Sequence, residues 1–279
     1  MLRAPGDGLE IQLARWPGPK PAVLAVHGLT ANCRCWDTMA QELGGQRELL
    51  AMDLRGRGRS DKPATGYSLE NHCADIDAVL DHLGHERAAL MGHSLGAYIS
   101  LAYAATRPQR VERLILVDGG AVLSQEQWAR VGEGIAPSLE RLDKVFASCE
   151  QMISLSRGAP FLQPWNQALE DYYSYDCQEG PGGVVSGTSL ATTQQERANL
   201  NQVDVSRFYP QVGCPVLVLR AAQGVLAPEQ MVLPSDATAN LLAALPQAEL
   251  AEMHKLNHFT IIFHPHAERA RAVETFLAA

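Results

Sequence analysis

The sequence predicts an α/β protein with a mostly parallel central sheet, helices on both faces and an inserted helical cap. Three observations predict it. Short apolar runs alternate with amphipathic stretches of helical length through the first 118 residues, the rhythm of strands joined by covering helices. That rhythm stops from Gly119 to about Pro210 and resumes at Pro215-Val216-Leu217-Val218-Leu219. At one strand-to-helix junction the chain reads Gly92-His93-Ser94-Leu95-Gly96, small residues where a strand must turn sharply into a helix.

Taken in order, Leu9 to Trp16 reads as a strand entering from an edge. Val23-Leu24-Ala25-Val26 has no polar alternation, so strand 22–27 is expected to be buried on both faces. A helix over about 34–43 leads to strand 47–53, built on Leu49-Leu50-Ala51-Met52. A helix over about 69–83 then precedes strand 87–92, and helix 95–106 follows at once. Pro108 closes that helix in the turn Arg107-Pro108-Gln109-Arg110, before strand 112–118. Beyond the break come helix 235–245, strand 248–253 and helix 265–278. Residues 1–120 and 207–279 are therefore expected to form the core domain, and residues 121–206 the helical cap. The cap carries Trp128, Phe146, Phe161, Trp165, Tyr172, Tyr173 and Tyr175 on amphipathic stretches. Glu179-Gly180-Pro181-Gly182-Gly183 reads as a flexible joint within it.

Composition removes several classes of function. The 23 basic and 31 acidic residues leave a net charge of −8, which repels phosphate backbones, so no nucleic-acid partner is expected. No apolar stretch approaches the ~20 residues of a membrane span. Met1 to Gly8 lacks the long apolar segment of a secretory signal, and a cytoplasmic location is the expectation. The six cysteines are scattered and read as reduced thiols. Cys33 and Cys35 stand too close together, and too isolated from other ligands, for zinc. Neither a metal nor an organic cofactor is called for.

The chemistry centres on Ser94. Its setting between a strand and a helix strains the residue and lifts the hydroxyl clear of the sheet, as a nucleophile requires. The flanking glycines supply the space. Attack on a carbonyl needs two backbone N–H groups facing the developing oxyanion. One is assigned to Leu95, at a helix N-terminus where the dipole helps. The other is assigned to Leu29, in the loop His27-Gly28-Leu29-Thr30 after the strand at 23–26.

On these residues the chain resembles the α/β-hydrolase family over nearly its whole length, in its serine-nucleophile, cap-bearing, esterase- or lactonase-like branch. Asp53-Leu54-Arg55-Gly56-Arg57-Gly58-Arg59-Ser60-Asp61 resembles that family's glycine-rich loop. Its arginines are read as a solvated turn rather than as nucleic-acid contacts. The base must be a histidine near the end of the last strand, either His254 or His258. His258 is favoured because it lies further into the loop, before Phe259-Thr260-Ile261-Ile262, and because the resemblance places it there. His27 and His93 flank the site with packing roles. His264 and His266 read as surface residues at a helix start.

The acid departs from the family's commoner pattern. Where an aspartate usually follows the strand after the cap, this chain has Gly224, and no carboxylate stands between Arg220 and Pro228. Asp118, Glu229 and Asp236 remain. Asp118 is preferred, because it ends the apolar run Leu114-Ile115-Leu116-Val117 beside the nucleophile's strand, 24 residues beyond Ser94. A triad is defined by geometry, so an acid in that position can still hold the histidine.

A serine, unlike the carboxylate nucleophile of epoxide hydrolases and haloalkane dehalogenases, points to an acyl-enzyme. The expectation is a serine hydrolase, a carboxylesterase or lactonase acting on a moderately apolar small ester. His27, Trp128 and Trp165 are the expected pocket residues. The alternatives are a carbon–carbon bond hydrolase of the same fold and a non-catalytic ligand-binding or sensing homologue. The expected partners are a small-molecule ester or lactone and, at most, a second copy of the chain in a homodimer.

Overall fold

The computed structural model describes all 279 residues. The chain opens with β1 (Leu2–Pro5) and β2 (Glu10–Trp16), then β3 (Val23–Val26), α1 (Asp37–Leu43) and β4 (Leu49–Met52). Next come α2 (Leu69–His82), β5 (Ala88–His93), α3 (Leu95–Thr106) and β6 (Val111–Val117). All side chains of β3, β4 and β5 are buried, as their unbroken apolar runs require of strands covered on both faces. The strand at Glu10 is not the outermost one. It is covered by β1, which escapes a sequence reading because it is four residues long, carries Arg3 and Pro5, and buries only Ala4.

An insertion then leaves the sheet. It holds α4 (Gln125–Leu139), α5 (Cys149–Arg157), α6 (Gln167–Asp176), β7 (Cys177–Gly180), β8 (Gly183–Ser186) and α7 (Leu190–Leu200). The chain returns through β9 (Val216–Ala221), α8 (Ser235–Ala244), β10 (Ala248–Met253), α9 (Thr260–Phe263) and α10 (Ala267–Ala278). The insertion is thus not wholly helical. Gly180 to Gly183, expected to be a joint, is the turn of an antiparallel hairpin, with Gly182 and Gly183 at φ 86° and 153°. Phe146 bridges to Val184 and fastens that hairpin to the chain before α5. The cysteines are not all isolated either. Cys149 and Cys177 face each other with Cα atoms 5.7 Å apart, a spacing that suits a disulfide, while Cys33, Cys35, Cys73 and Cys214 are buried and free.

The eight-stranded sheet runs β1-β2-β4-β3-β5-β6-β9-β10. Only β1 against β2 and β2 against β4 are antiparallel; every other pair is parallel. The carboxyl ends of β3, β5, β6, β9 and β10 therefore open side by side, at the edge where ligands of such sheets bind. No helix is long and apolar enough to cross a membrane.

The backbone is closely packed where β5 turns into α3. A Cβ on Gly96 would stand 2.0 Å from the Val26 carbonyl oxygen, and one on Gly92 would stand 2.1 Å from that of Gly96. Backbone, which cannot rotate aside, blocks both. Gly96→Ala is expected to yield protein that is insoluble or unfolded at 25 °C, read by far-ultraviolet circular dichroism. A native spectrum with an unchanged melting temperature would contradict this account.

Candidate active site

Ser94 follows the last residue of β5 with φ 55° and ψ −117°. A side chain in that region is strained and persists only where its surroundings leave no alternative. Here the Ser94 N–H donates to the Val117 oxygen (3.0 Å), and the Ser94 oxygen accepts from Ala97 (2.9 Å). A Cβ on Gly119 would press to 2.7 Å from that same oxygen. Asp118, at the end of the neighbouring β6, also has positive φ, 47°.

Asp118 is buried and fixed at both oxygens. Oδ1 accepts from the Ala221 N–H at the end of β9 (3.0 Å), and Oδ2 accepts from His258 Nδ1 (2.7 Å). The loop carrying His258 is knotted by Asn257, whose Oδ1 accepts the N–H groups of Phe259 and Thr260 (2.9 Å each). With Nδ1 donating to a carboxylate, the neutral ring has its lone pair at Nε2, the tautomer a general base needs. His258 reaches Asp118 across the end of β9. There is no room for an acid at Gly224, where a Cβ would stand 1.9 Å from the Ala227 oxygen. Glu229 is exposed and Asp236 is held at the surface by Gln127 Nε2 (2.9 Å), so neither meets His258. His254 is exposed as well.

His93 supports His258 from behind. Their ring centroids are 4.5 Å apart, and His93 Nε2 donates to the His258 carbonyl oxygen (2.9 Å). Burial and the neighbouring His258 hold the His93 pKa well below the usual imidazole range, so its ring stays neutral.

Two cavities meet at Ser94. One is walled mainly by apolar groups, among them Leu95, Tyr98, Trp128, Val131 and Val232. The other is walled by His258, Phe259, Ser138, Arg141, Tyr172 and Tyr173, among others. Ser94, Leu29 and Ile135 belong to both. The Ser94 hydroxyl and His258 share the second cavity without a hydrogen bond, a looseness common before substrate arrives.

Leu29 and Leu95, the residues expected to supply the oxyanion donors, line the apolar cavity together with Ser94. The Leu29 N–H makes no hydrogen bond within the protein, and that of Leu95, in the first turn of α3, has no partner in its helix. His27 is not a pocket residue. It is buried behind the loop, with Nδ1 donating to the Gly28 oxygen (2.8 Å) and Nε2 accepting from the Leu54 N–H (3.0 Å). The peptide it holds is the one that carries the Leu29 N–H. Burial, with Arg57 and His72 nearby, brings the His27 pKa down to about 3. Trp128 lines the apolar cavity as expected, but Trp165 lines neither. It stacks on Tyr173 at 5.5 Å and donates to Glu170 (2.9 Å), because the insertion needs it for its own packing.

Two of the three arginines of the glycine-rich loop are not solvated, while Arg59 is exposed. Arg55 is paired with Asp75 through two 2.7 Å contacts, and Arg57 is paired with Glu196 of α7 (2.8 Å), both inside the protein. Arg141, in the second cavity wall, was not singled out by its sequence, since nothing local to it marks its partner Asp176, 35 residues on. No group of histidine, cysteine and acidic side chains is arranged to hold a metal.

A sequence profile of the alpha/beta hydrolase fold matches residues 21–265. A putative carbamate hydrolase of Klebsiella pneumoniae is 27% identical over 254 residues, 88% of this chain and 86% of that one. An uncharacterized protein of Mycobacterium tuberculosis is 38% identical over 108 residues; that match covers 39% of this chain and about a third (32%) of the mycobacterial one. Among solved structures, an E-2-(acetamidomethylene)succinate hydrolase superposes with a TM-score of 0.86 at 24% identity, over 100% of this chain and 98% of the other. That last likeness is one of fold.

The two buried neutral histidines make stability depend on pH. Unfolded, each binds a proton near pH 6.5, whereas folded His27 does so only near pH 3 and folded His93 well below 6.5. Between these limits the unfolded chain holds more protons, so stability falls as pH falls, by up to about 1.4 kcal/mol per pH unit per histidine. Urea unfolding at pH 7.5 and 5.5 should show a lower midpoint at pH 5.5. His27→Gln should flatten that dependence; an equal slope in the variant would rule out the neutral His27.

Proposed function

The chain belongs to the alpha/beta hydrolase fold family, and from that premise we propose a serine hydrolase acting through an acyl-enzyme, a carboxylesterase or lactonase for a moderately apolar small ester. The observation that carries the reading is the buried Asp118–His258 hydrogen bond of 2.7 Å, opening onto a cavity shared with the strained Ser94. Hydrolysis as the general activity is further supported by the names of its relatives, one a putative carbamate hydrolase and one a 2-(acetamidomethylene)succinate hydrolase from Mesorhizobium japonicum, 36% identical over 104 residues.

In this mechanism His258 Nε2 takes the proton of the Ser94 hydroxyl as Oγ attacks the substrate carbonyl carbon. Asp118 steadies the imidazolium that forms and does not itself take the proton. The carbonyl oxygen becomes an anion, facing the N–H groups of Leu29 and Leu95 at the positive end of α3. His258 returns the proton to the departing oxygen as the carbon–oxygen bond breaks. Water, deprotonated by the same nitrogen, then releases the acid from Ser94. His93 stays neutral beside His258, so it adds no second positive charge against the transient imidazolium. The apolar wall around Trp128 and Val131 suits an apolar acyl group, with the insertion acting as a cap over it. The carboxylate of Asp118 on His258 supports the catalytic reading over that of a non-catalytic homologue.

A fluorophosphonate probe is expected to label Ser94 covalently. Ser94→Ala should lower turnover of a short-chain aryl ester by three orders of magnitude or more with the fold intact. A variant that kept a tenth of wild-type turnover would exclude the mechanism. Asp118→Asn should cost a factor on the order of 10³–10⁴ by favouring the wrong tautomer. Glu229→Gln and Asp236→Asn should stay within twofold of wild type. Trp128→Ala should change relative kcat/KM across an acyl series more than it changes the melting temperature; uniform relative rates would exclude Trp128 from substrate selection.

A further inference from the structure

Residues 28 to 30 carry three successive carbonyl groups, and each is held by a different buried side chain. The Gly28 oxygen accepts from His27 (2.8 Å), the Leu29 oxygen from Arg57 Nε (3.2 Å) and the Thr30 oxygen from Arg141 Nη2 (2.5 Å). The Leu29 N–H lies between the first two of these anchors, so its direction is set by them. Two of the three anchors depend on the insertion. Arg57 comes from the core, but its charge is met by Glu196 of α7. Arg141 comes from the insertion itself, and its charge is met by Asp176 at the end of α6.

The Glu196 carboxylate is 1% exposed and takes Arg57 Nη1 at 2.8 Å and His72 Nε2 at 3.0 Å. Burial alone would raise its pKa, but His72 and Arg57 overturn that and bring it down to about 2, so it is charged at neutral pH. Around it α7 is docked closely onto the loop after β4. Thr192 occupies the space a side chain on Gly56 would need, its methyl 2.7 Å from that Cβ position, and Gln195 donates to the Ala64 oxygen (3.0 Å). Glu196 is also among the residues that line the apolar cavity that holds Ser94.

We propose that Glu196 is a positioning residue for the oxyanion site, acting through Arg57 on the Leu29 carbonyl, so that docking of the insertion aims the Leu29 N–H. The inference rests on the serine mechanism proposed above. It makes the insertion part of the catalytic apparatus and not merely a roof over the substrate. Without the Glu196 charge, the Arg57 guanidinium is left buried with one partner too few, since its Nη2 already has none. It then has reason to turn away from Leu29 toward water.

The test compares wild type with Glu196→Gln and Arg57→Lys on an ester and the matching thionoester. Oxyanion donors stabilise a developing C–O⁻ far better than C–S⁻, so the oxo-to-thiono rate ratio reads the site itself. Arg57→Lys keeps a cation beside Glu196 but cannot serve Leu29 at the same time, which guards against failure of the first variant to fold. Both variants are expected to lose about 10–100-fold in kcat on the ester, less than the loss of a whole donor. KM should stay within threefold, and the oxo-to-thiono ratio should fall by a similar factor to kcat. A fall in kcat with an unchanged ratio, a change confined to KM, or wild-type activity in both variants would overturn the inference while fluorophosphonate labelling of Ser94 left the serine mechanism standing. Failure of the wild-type chain to label would overturn both.

Discussion

Ser94 can hold its left-handed backbone only because hydrogen atoms stand where side chains would otherwise be. Gly92 and Gly96 let α3 fold back onto the ends of β3 and β5, and Gly119 lets β6 end against the Ser94 carbonyl. Gly28 completes the enclosure, its missing Cβ lying 3.1 Å from that of Ser94. The result is that the ends of β3, β5 and β6 bring the loop at Gly28, the Ser94 hydroxyl and the Asp118 carboxylate to one edge of the sheet. Strain at one residue costs on the order of 1–3 kcal/mol, and the parallel sheet around it is large enough to absorb that.

Charge is used inside this protein for direction more than for stability. A buried ion pair recovers little more than its desolvation cost, yet losing one partner costs about 3–5 kcal/mol. Arg55–Asp75, Arg57–Glu196 and Arg141–Asp176 are all of this kind, with both side chains almost wholly out of water. Such pairs make one arrangement of the backbone much better than its neighbours. Two of them bear on successive carbonyl groups, those of Leu29 and Thr30. The neutral histidines serve the same end by other means: His27 and His93 each hold one carbonyl, and their burial keeps them from charging.

Much of this was legible in the sequence where the cause is local. Unbroken apolar runs mark β3, β4 and β5 because both sheet faces are covered. Ser94 stands out because the glycines beside it sit at a strand–helix junction. Asp118 could be singled out because Arg220 to Pro228 offers no carboxylate, and an apolar run ends at 118 on the adjacent strand. What stayed hidden depends on distant partners. Nothing near Arg57 signals that Glu196, 139 residues away, will take it out of solvent. Trp165 looks like a pocket residue until Tyr173 and Glu170 are seen to occupy its ring and its N–H. The glycines at 180–183 suit a loose linker as well as a hairpin turn, and only the pairing of Glu179 with Val184 separates the two.

The two cavities at Ser94 differ in which one contains His258. On the proposed chemistry, the group that His258 protonates departs into the cavity that contains His258, while the acyl chain stays among the apolar side chains around Trp128. The acyl-enzyme then waits with its exposed face toward the vacated space, beside Ser138, Arg141, Tyr172 and Tyr173. Whatever enters there next is activated by the same imidazole nitrogen. Water is one such nucleophile, and a small alcohol is another. The fate of the acyl group, free acid or new ester, is therefore a partition set by that cavity's preference between hydration and alcohol binding.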